Sequence, residues 1–346
     1  MIYFDAAAAA PPDPAVLDFY RETAARWYGN QESSHAFART IRQKTDEAAR
    51  QFVRLLADDS FEVLWADSGT ALFPLLTSLP ELRGQSCFCD LVHPALQAAV
   101  RLNMRPAAAP DPAVRLIAGS HVESETGRLT DMTRLRPEGM PALLLADTIQ
   151  SAGKLPLPAA DFLTVSGHKL GAPGAALLYR DPDGKRRAFF DQQRHRDYRF
   201  GRPDPAAILT LVFAVERACS RMEENRRQAV RINDFLRREL TAIPLRGGKY
   251  PVPTLPPEAA SPYILHLLLP GMQGGVVVRM LSELDICVAS GSACQAETDQ
   301  PSPALLTLGY PRNEAYSGLR LSFSPANTLE EAAAFAAAFR QIAAAY

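Results

Sequence analysis

Two short apolar runs that end in polar residues constrain this chain more than any other feature. Leu143-Leu144-Leu145-Ala146 stops at Asp147, and Thr164-Val165 stops at Ser166-Gly167-His168-Lys169. A run of that kind reads as a strand buried on both faces, as in a parallel sheet, delivering polar side chains at its carboxyl end. In open α/β sheets ligands sit outside those strand ends, so Asp147, Gln150, His168 and Lys169 can converge on one crevice.

An acid beside a lysine in such a crevice suggests pyridoxal phosphate, whose carbonyl is taken by a lysine as a Schiff base while a carboxylate pairs with the pyridinium nitrogen. Lys169 would be the first and Asp147 the second. Other stretches offer further parts. Phe61 to Trp65 reads as a strand, and Asp67-Ser68-Gly69-Thr70 as the turn from it into a helix through Leu79. A Gly-containing strand-to-helix turn can hold phosphate, because unpaired N–H groups and the helix dipole point at the anion; taken alone it is also an ordinary cap. Cys87-Phe88-Cys89 reads as a strand, with His93 opening the next helix. Ile286 to Val288 reads as a strand running into Ala289-Ser290-Gly291-Ser292-Ala293-Cys294, a small-residue loop in which a thiol is accessible to attack.

The remaining elements follow from caps and breakers. Helices are expected over Ala15–Tyr28, from Ser33 through Leu56, over Pro205–Ile243, over Gly274–Leu284 and over Leu329–Ala345, with a linker-like stretch marked by Pro251, Pro253, Pro256, Pro257 and Pro262, and a strand over Tyr263–Leu269. At 346 residues the chain exceeds one ordinary core, so a large and a smaller domain are expected. Hydrophobic content of 47% with 22% charged residues describes a soluble globular protein. A net charge of −1 gives no general attraction to nucleic acid or to an anionic membrane, and no run reaches membrane-spanning length. Five cysteines without paired spacing argue against a zinc module or a disulfide scaffold; they fit a reducing compartment, and a cytoplasmic protein without a metal site is expected.

The wording of the motifs goes further. Asp147-x-x-Gln150-x-x-Gly153-Lys154 followed by Ser166-Gly167-His168-Lys169 resembles the class V aminotransferases among the fold-type I pyridoxal phosphate enzymes, and within them the group I cysteine desulfurases. Gly291-Ser292-Ala293-Cys294 is similar to their sulfur-accepting motif, and Gly318-Leu319-Arg320-Leu321-Ser322 to the strand whose arginine grips the substrate carboxylate. The resemblance implies an α/β fold with a large domain built on a mostly parallel seven-stranded sheet (15–245) and a smaller α+β domain (1–14 with 246–346). It implies pyridoxal 5'-phosphate bonded to Lys169, with Asp147 on the ring nitrogen, Gln150 on the ring hydroxyl and His93 stacked on the ring. Ser68, Gly69, Thr70, Ser166 and His168 would hold the phosphate. Arg320 and Ser124 would meet the substrate, and Cys294 would take its sulfur as a persulfide, turning L-cysteine into L-alanine. A homodimer is implied too, in which Arg199-Phe200-Gly201-Arg202 reaches the neighbour's cofactor phosphate, and a sulfur-acceptor protein downstream. Three departures stand near the chemistry: Ala6, Ala71 and Ser124 replace polar residues of the pattern. They keep open a different reaction on the same cofactor, such as selenocysteine or cystine lysis, or transamination; a degenerate homologue that binds the cofactor or a sulfur-carrier protein without turnover is the other alternative, and the presence of Lys169, Asp147 and Cys294 together argues against it.

Overall fold

The computed structural model describes residues 1–195, 204–291 and 300–346, and the chain in it divides into two compact units. The larger comprises Pro11–His121 and Thr130–Arg221. Its frame is a seven-stranded sheet in the order Phe61–Ala66, Ala175–Arg180, Phe162–Ser166, Leu143–Asp147, Val114–Ser120, Ser86–Asp90, Arg105–Ala107. Ala175–Arg180 pairs antiparallel with both neighbours and every other pairing is parallel, so the expected mostly parallel sheet is present. The inner strands are buried on both faces, which is why Leu143–Asp147 and Phe162–Ser166 lack the alternation of a half-exposed strand.

Two apolar layers cover that sheet. On one face Phe52, Ile117, Leu144, Leu163, Val165, Leu178, Leu211 and Val215 pack together; on the other Leu72, Phe73, Leu96, Leu116, Leu145, Phe162 and Leu177 do. Each fully buried Leu or Phe stabilises the fold by about 1.5–3 kcal/mol relative to exposure, so these layers hold the strand ends at fixed spacing.

The second unit gathers Met1–Ala10, Val122–Leu129 and Met222–Tyr346. Gly318–Ser322, Ile264–Leu268 and Val252–Pro253 form an antiparallel sheet in that order, and Ile2–Tyr3 pairs parallel with Ile286–Cys287. Helices Met222–Thr241, Gly274–Ser282 and Leu329–Ala345 close on it around Phe4, Leu267, Leu321, Phe335 and Phe339, with Phe4 edge-on to Phe323 at 5.4 Å. Thr328 and Glu331 cap the last helix reciprocally.

Two expectations need correction. The helix read over Pro205–Ile243 is two helices, Pro205–Ser220 and Met222–Thr241, because Arg221 leaves helical geometry at ψ 11 and the halves bury their apolar faces in different units. The proline-rich stretch is not a bare linker: Val252–Pro253 adds an edge strand to Ile264–Leu268, a place where proline's missing donor is tolerated.

Candidate active site

In the larger unit the carboxyl ends of four strands and the starts of two helices carry the expected residues. Asp147 ends its strand as a buried carboxylate, 6% exposed. Its Oδ1 accepts from the Thr164 hydroxyl at 2.8 Å and from the Ile149 N–H at 3.2 Å. The register Leu145↔Phe162, Ala146↔Leu163, carried one step on, puts Thr164 opposite it. Burial raises the Asp147 pKa, while the two hydrogen bonds and the nearby His93 and Lys169 charges pull it down. His93 and Lys169 are therefore within electrostatic reach of this carboxylate.

His93 caps helix Pro94–Asn103, its Nδ1 accepting from the Ala95 N–H at 3.1 Å. That bond leaves the neutral ring's proton on Nε2 and fixes the ring's direction. Two residues earlier Leu91 sits at φ 43, left-handed backbone that a branched side chain adopts only where its surroundings impose it.

Ser166, His168 and Lys169 follow the neighbouring strand in a tight turn, Gly167–Lys169. A Cβ on Gly167 would lie 2.4 Å from the Pro173 carbonyl oxygen and 2.5 Å from that of Ala172, so glycine alone fits. The Ser166 hydroxyl is 2.7 Å from His168 Nδ1. Burial, with the charges of Lys169, His93 and Lys154, pushes the His168 pKa down to about 4, so its imidazole is neutral near pH 7. Ser68 caps helix Gly69–Thr77 by accepting from the Ala71 N–H, which leaves Ala71 contributing backbone where the related pattern has a side chain. A Cβ on Gly69 would lie 3.7 Å from the Ser166 hydroxyl, so that helix start and the Ser166 turn face each other. Gln150 is buried in the turn after Asp147.

Motif reading assigned no role to Lys154, which is buried in the same turn; burial and Lys169 bring its pKa to about 8. Nor did it find Thr164, which is visible only as the residue in register with Asp147.

In the second unit Arg320 is 1% exposed in strand Gly318–Ser322, opposite His266 of Ile264–Leu268. Its Nη2 donates to Asp5 Oδ1 at 2.6 Å and its Nη1 to the Ser124 carbonyl at 2.9 Å. Ser124 thus serves the arginine through its backbone. Glu123 closes the Ser124 turn by accepting from the Glu125 and Thr126 N–H groups at 2.8 and 2.6 Å. Beneath lies His266, whose Nε2 is 3.9 Å from Glu125 Oε1 and whose pKa burial and Arg320 lower to about 3. Asp5 and His266 were not anticipated; Asp5 could have been read from an acid at the head of a buried N-terminal segment. Cys294 and Arg202 lie outside the described residues.

A model of the aminotransferase class-V family matches residues 85–335. A cysteine desulfurase of Azotobacter chroococcum mcd 1 is 25% identical over 348 residues, covering 92% of this chain and 85% of that protein. A putative cysteine desulfurase IscS 1 of Bacillus subtilis strain 168 is also 25% identical, over 369 residues and 95% of each chain. Among solved structures, a NifS-like protein superposes with a TM-score of 0.83 at 19% identity, covering 100% of both chains. That likeness concerns the fold, fold-type I.

Proposed function

The chain belongs to the aminotransferase class-V family, and from that premise we propose that it binds pyridoxal 5'-phosphate and transfers sulfur from L-cysteine to Cys294, releasing L-alanine. The observation that carries the reading is Asp147: a buried carboxylate clamped by Thr164 and the Ile149 N–H, with Lys169 and His93 in electrostatic reach.

The residues fit the group. Burial opposes the charged form of Asp147, and a protonated ring nitrogen is the partner that would offset it. Lys154 and Lys169 bring positive charge to the strand ends beside buried Asp147, and the start of helix Gly69–Thr77 faces Ser166; both features suit a phosphate. When bound, the cofactor supplies an electron sink that weakens bonds at the α- and β-carbons of an amino acid.

The chain's residues would do the rest. Lys169 would hold the cofactor covalently and afterwards move protons with its amine. Asp147 would keep the ring nitrogen protonated, with Thr164 holding the carboxylate's direction. His93, pinned by Ala95, would stack on the ring, and Gln150 would bond the ring hydroxyl. Ser68, Gly69, Thr70, Ser166 and His168 would take the phosphate; His168, being neutral, would orient the Ser166 hydroxyl through Nδ1. Arg320 would bind the substrate carboxylate, with Asp5 and Ser124 fixing the guanidinium. The Cys294 thiolate would attack the substrate sulfur and keep it as a persulfide, the Cβ–S bond breaking with its electron pair left on the carbon side, where a proton is taken up to complete the methyl group of alanine. The relatives named above as cysteine desulfurases support cysteine as the substrate.

The test is direct. Purified protein incubated with L-cysteine and a reductant should release sulfide and alanine in equal amounts. Lys169→Ala should lose the visible absorption band of the holoenzyme, and Cys294→Ser should keep that band while sulfide release fails. Alanine and sulfide from Cys294→Ser at the wild-type rate would overturn the sulfur-transfer reading and leave a lyase that needs no acceptor thiol.

A further inference from the structure

His121 takes no part in the chemistry proposed above, yet it grips the turn that follows Asp147 at both of its ends. It stands directly after strand Val114–Ser120, which pairs parallel with Leu143–Asp147, and its N–H continues that ladder by donating to the Asp147 carbonyl at 3.0 Å. Its Nδ1 lies 2.9 Å from the Ser151 hydroxyl. Asp147 and Ser151 bracket the turn in which Gln150 is buried.

These two contacts close a ring of hydrogen bonds. Ser151 Oγ also lies 3.3 Å from the Thr148 carbonyl, the Thr148 hydroxyl donates to the Thr164 carbonyl at 2.6 Å, and the Thr164 hydroxyl donates to Asp147 Oδ1 at 2.8 Å. The ring thus runs from the His121 imidazole through Ser151, Thr148 and Thr164 to the Asp147 carboxylate, and returns through the Asp147 carbonyl to the His121 N–H. Thr148, Ser151 and Thr164 are each 0% exposed, so water does not replace a bond lost among them. His121 is half-buried, and burial holds its pKa below the usual histidine value, so its imidazole is neutral near pH 7. In either tautomer Nδ1 serves the Ser151 hydroxyl, as acceptor of its proton or as donor to its oxygen.

Thr164 and the Ile149 N–H set the direction of the Asp147 carboxylate, whereas His121, coming from a third strand, sets the backbone from which that carboxylate and Gln150 extend. A shift of the turn displaces both side chains together, and a productive binding geometry tolerates only ~0.5 Å. We propose that His121 is a positioning residue for the cofactor ring, holding the Asp147–Ser151 turn so that Asp147 meets the ring nitrogen and Gln150 the ring hydroxyl. The assignment rests on the reading of Asp147 and Gln150 given above and adds a residue that acts through them.

The experiment compares three full-length variants with the wild type, as holoenzyme and as apoprotein. His121→Asn keeps an amide where Nδ1 stands, His121→Gln moves it to where Nε2 stands, and His121→Leu keeps bulk alone. Titration of the visible band gives the pyridoxal phosphate dissociation constant, and the pH midpoint of that band reports how Asp147 holds the ring nitrogen. His121→Leu and His121→Gln should bind the cofactor about fivefold more weakly, the equivalent of one lost hydrogen bond, and shift the midpoint, while His121→Asn should stay within about twofold of wild type. In the apoprotein, hydrogen exchange at the Ile149, Ser151 and Ala152 amides should quicken in His121→Leu and not in His121→Asn. An unchanged dissociation constant and midpoint in His121→Leu, a His121→Asn as impaired as His121→Leu, or a lowered melting temperature as the only change would each overturn the proposal. A wild-type protein that shows no visible band with pyridoxal phosphate would overturn the reading of Asp147 and this assignment with it, whereas a wild-type band beside an unaltered His121→Leu overturns the assignment alone.

Discussion

Removing the Asp5 carboxylate should expose what holds Arg320 in place. Arg320 is 1% exposed, and among the described residues its guanidinium has two hydrogen bonds, one to Asp5 at 2.6 Å and one to a neutral carbonyl. Among the described residues, Asp5→Ala leaves the buried cation with that carbonyl as its hydrogen-bond partner. At an effective dielectric constant of about 20, charges 4 Å apart attract by about 4 kcal/mol. Breaking a buried pair on one side costs about 3–5 kcal/mol. The Asp5 side chain is 22% exposed, so water screens the pair somewhat and takes its place in the variant. A cost of about 2–4 kcal/mol is expected. Arg320→Met removes the charge itself, and Asp5→Ala in that background should then cost little. The cycle therefore predicts a coupling of about 2 kcal/mol. Hydrogen exchange of peptides covering Gly318–Ser322 reads the local free energy in this unit. A coupling below about 0.5 kcal/mol would show that Asp5 does not balance Arg320.

Three other outcomes follow. His266 is held neutral in the fold with a pKa near 3 against 6.5 when unfolded, so between those values the unfolded chain binds more protons; stability should fall as pH drops below 6.5, by up to about 1.4 kcal/mol per pH unit, and urea titrations of His266→Gln should show a flatter profile. Lys154, brought from 10.5 to about 8 chiefly by burial, costs the fold on the order of 3 kcal/mol at neutral pH; Lys154→Met should raise the melting temperature of the apoprotein, and a fall would mean that its bonds outweigh its desolvation. Gly167→Ala must move two carbonyl oxygens, so it should lower stability by about 1–3 kcal/mol and weaken cofactor binding, read by calorimetry and by titration of the visible band; unchanged values for both would show that the turn gives way freely.

The strand ends were legible because burial on both faces demands unbroken apolar runs, and a polar residue closing such a run stands out, as Asp147 and Ser166 do. What closes around them was not. Thr164 serves Asp147 through strand register, and Asp5 reaches Arg320 across 315 residues, separations that no local pattern encodes. The break at Arg221 escaped notice for a related reason: neither Gly nor Pro marks it, and each half of the expected helix is a sound helix former. The Val114–Ser120 strand was passed over although it lies between Leu143–Asp147 and Ser86–Asp90.

The unit that holds Arg320 is assembled from three separate pieces of chain, and this orders events during synthesis. Ile2–Tyr3 emerges ahead of the other two pieces, yet its partner Ile286–Cys287 is made nearly three hundred residues later, and Phe4 waits longer still for Phe335. The larger unit is interrupted by eight residues alone, Val122–Leu129, and can close on itself once Arg221 has left the ribosome. The opening segment must meanwhile stay unpaired, carrying Ile2, Tyr3 and Phe4 in water. Polar company, with Asp5 directly behind them and Asp13 soon after, keeps that waiting segment from being a uniformly sticky one.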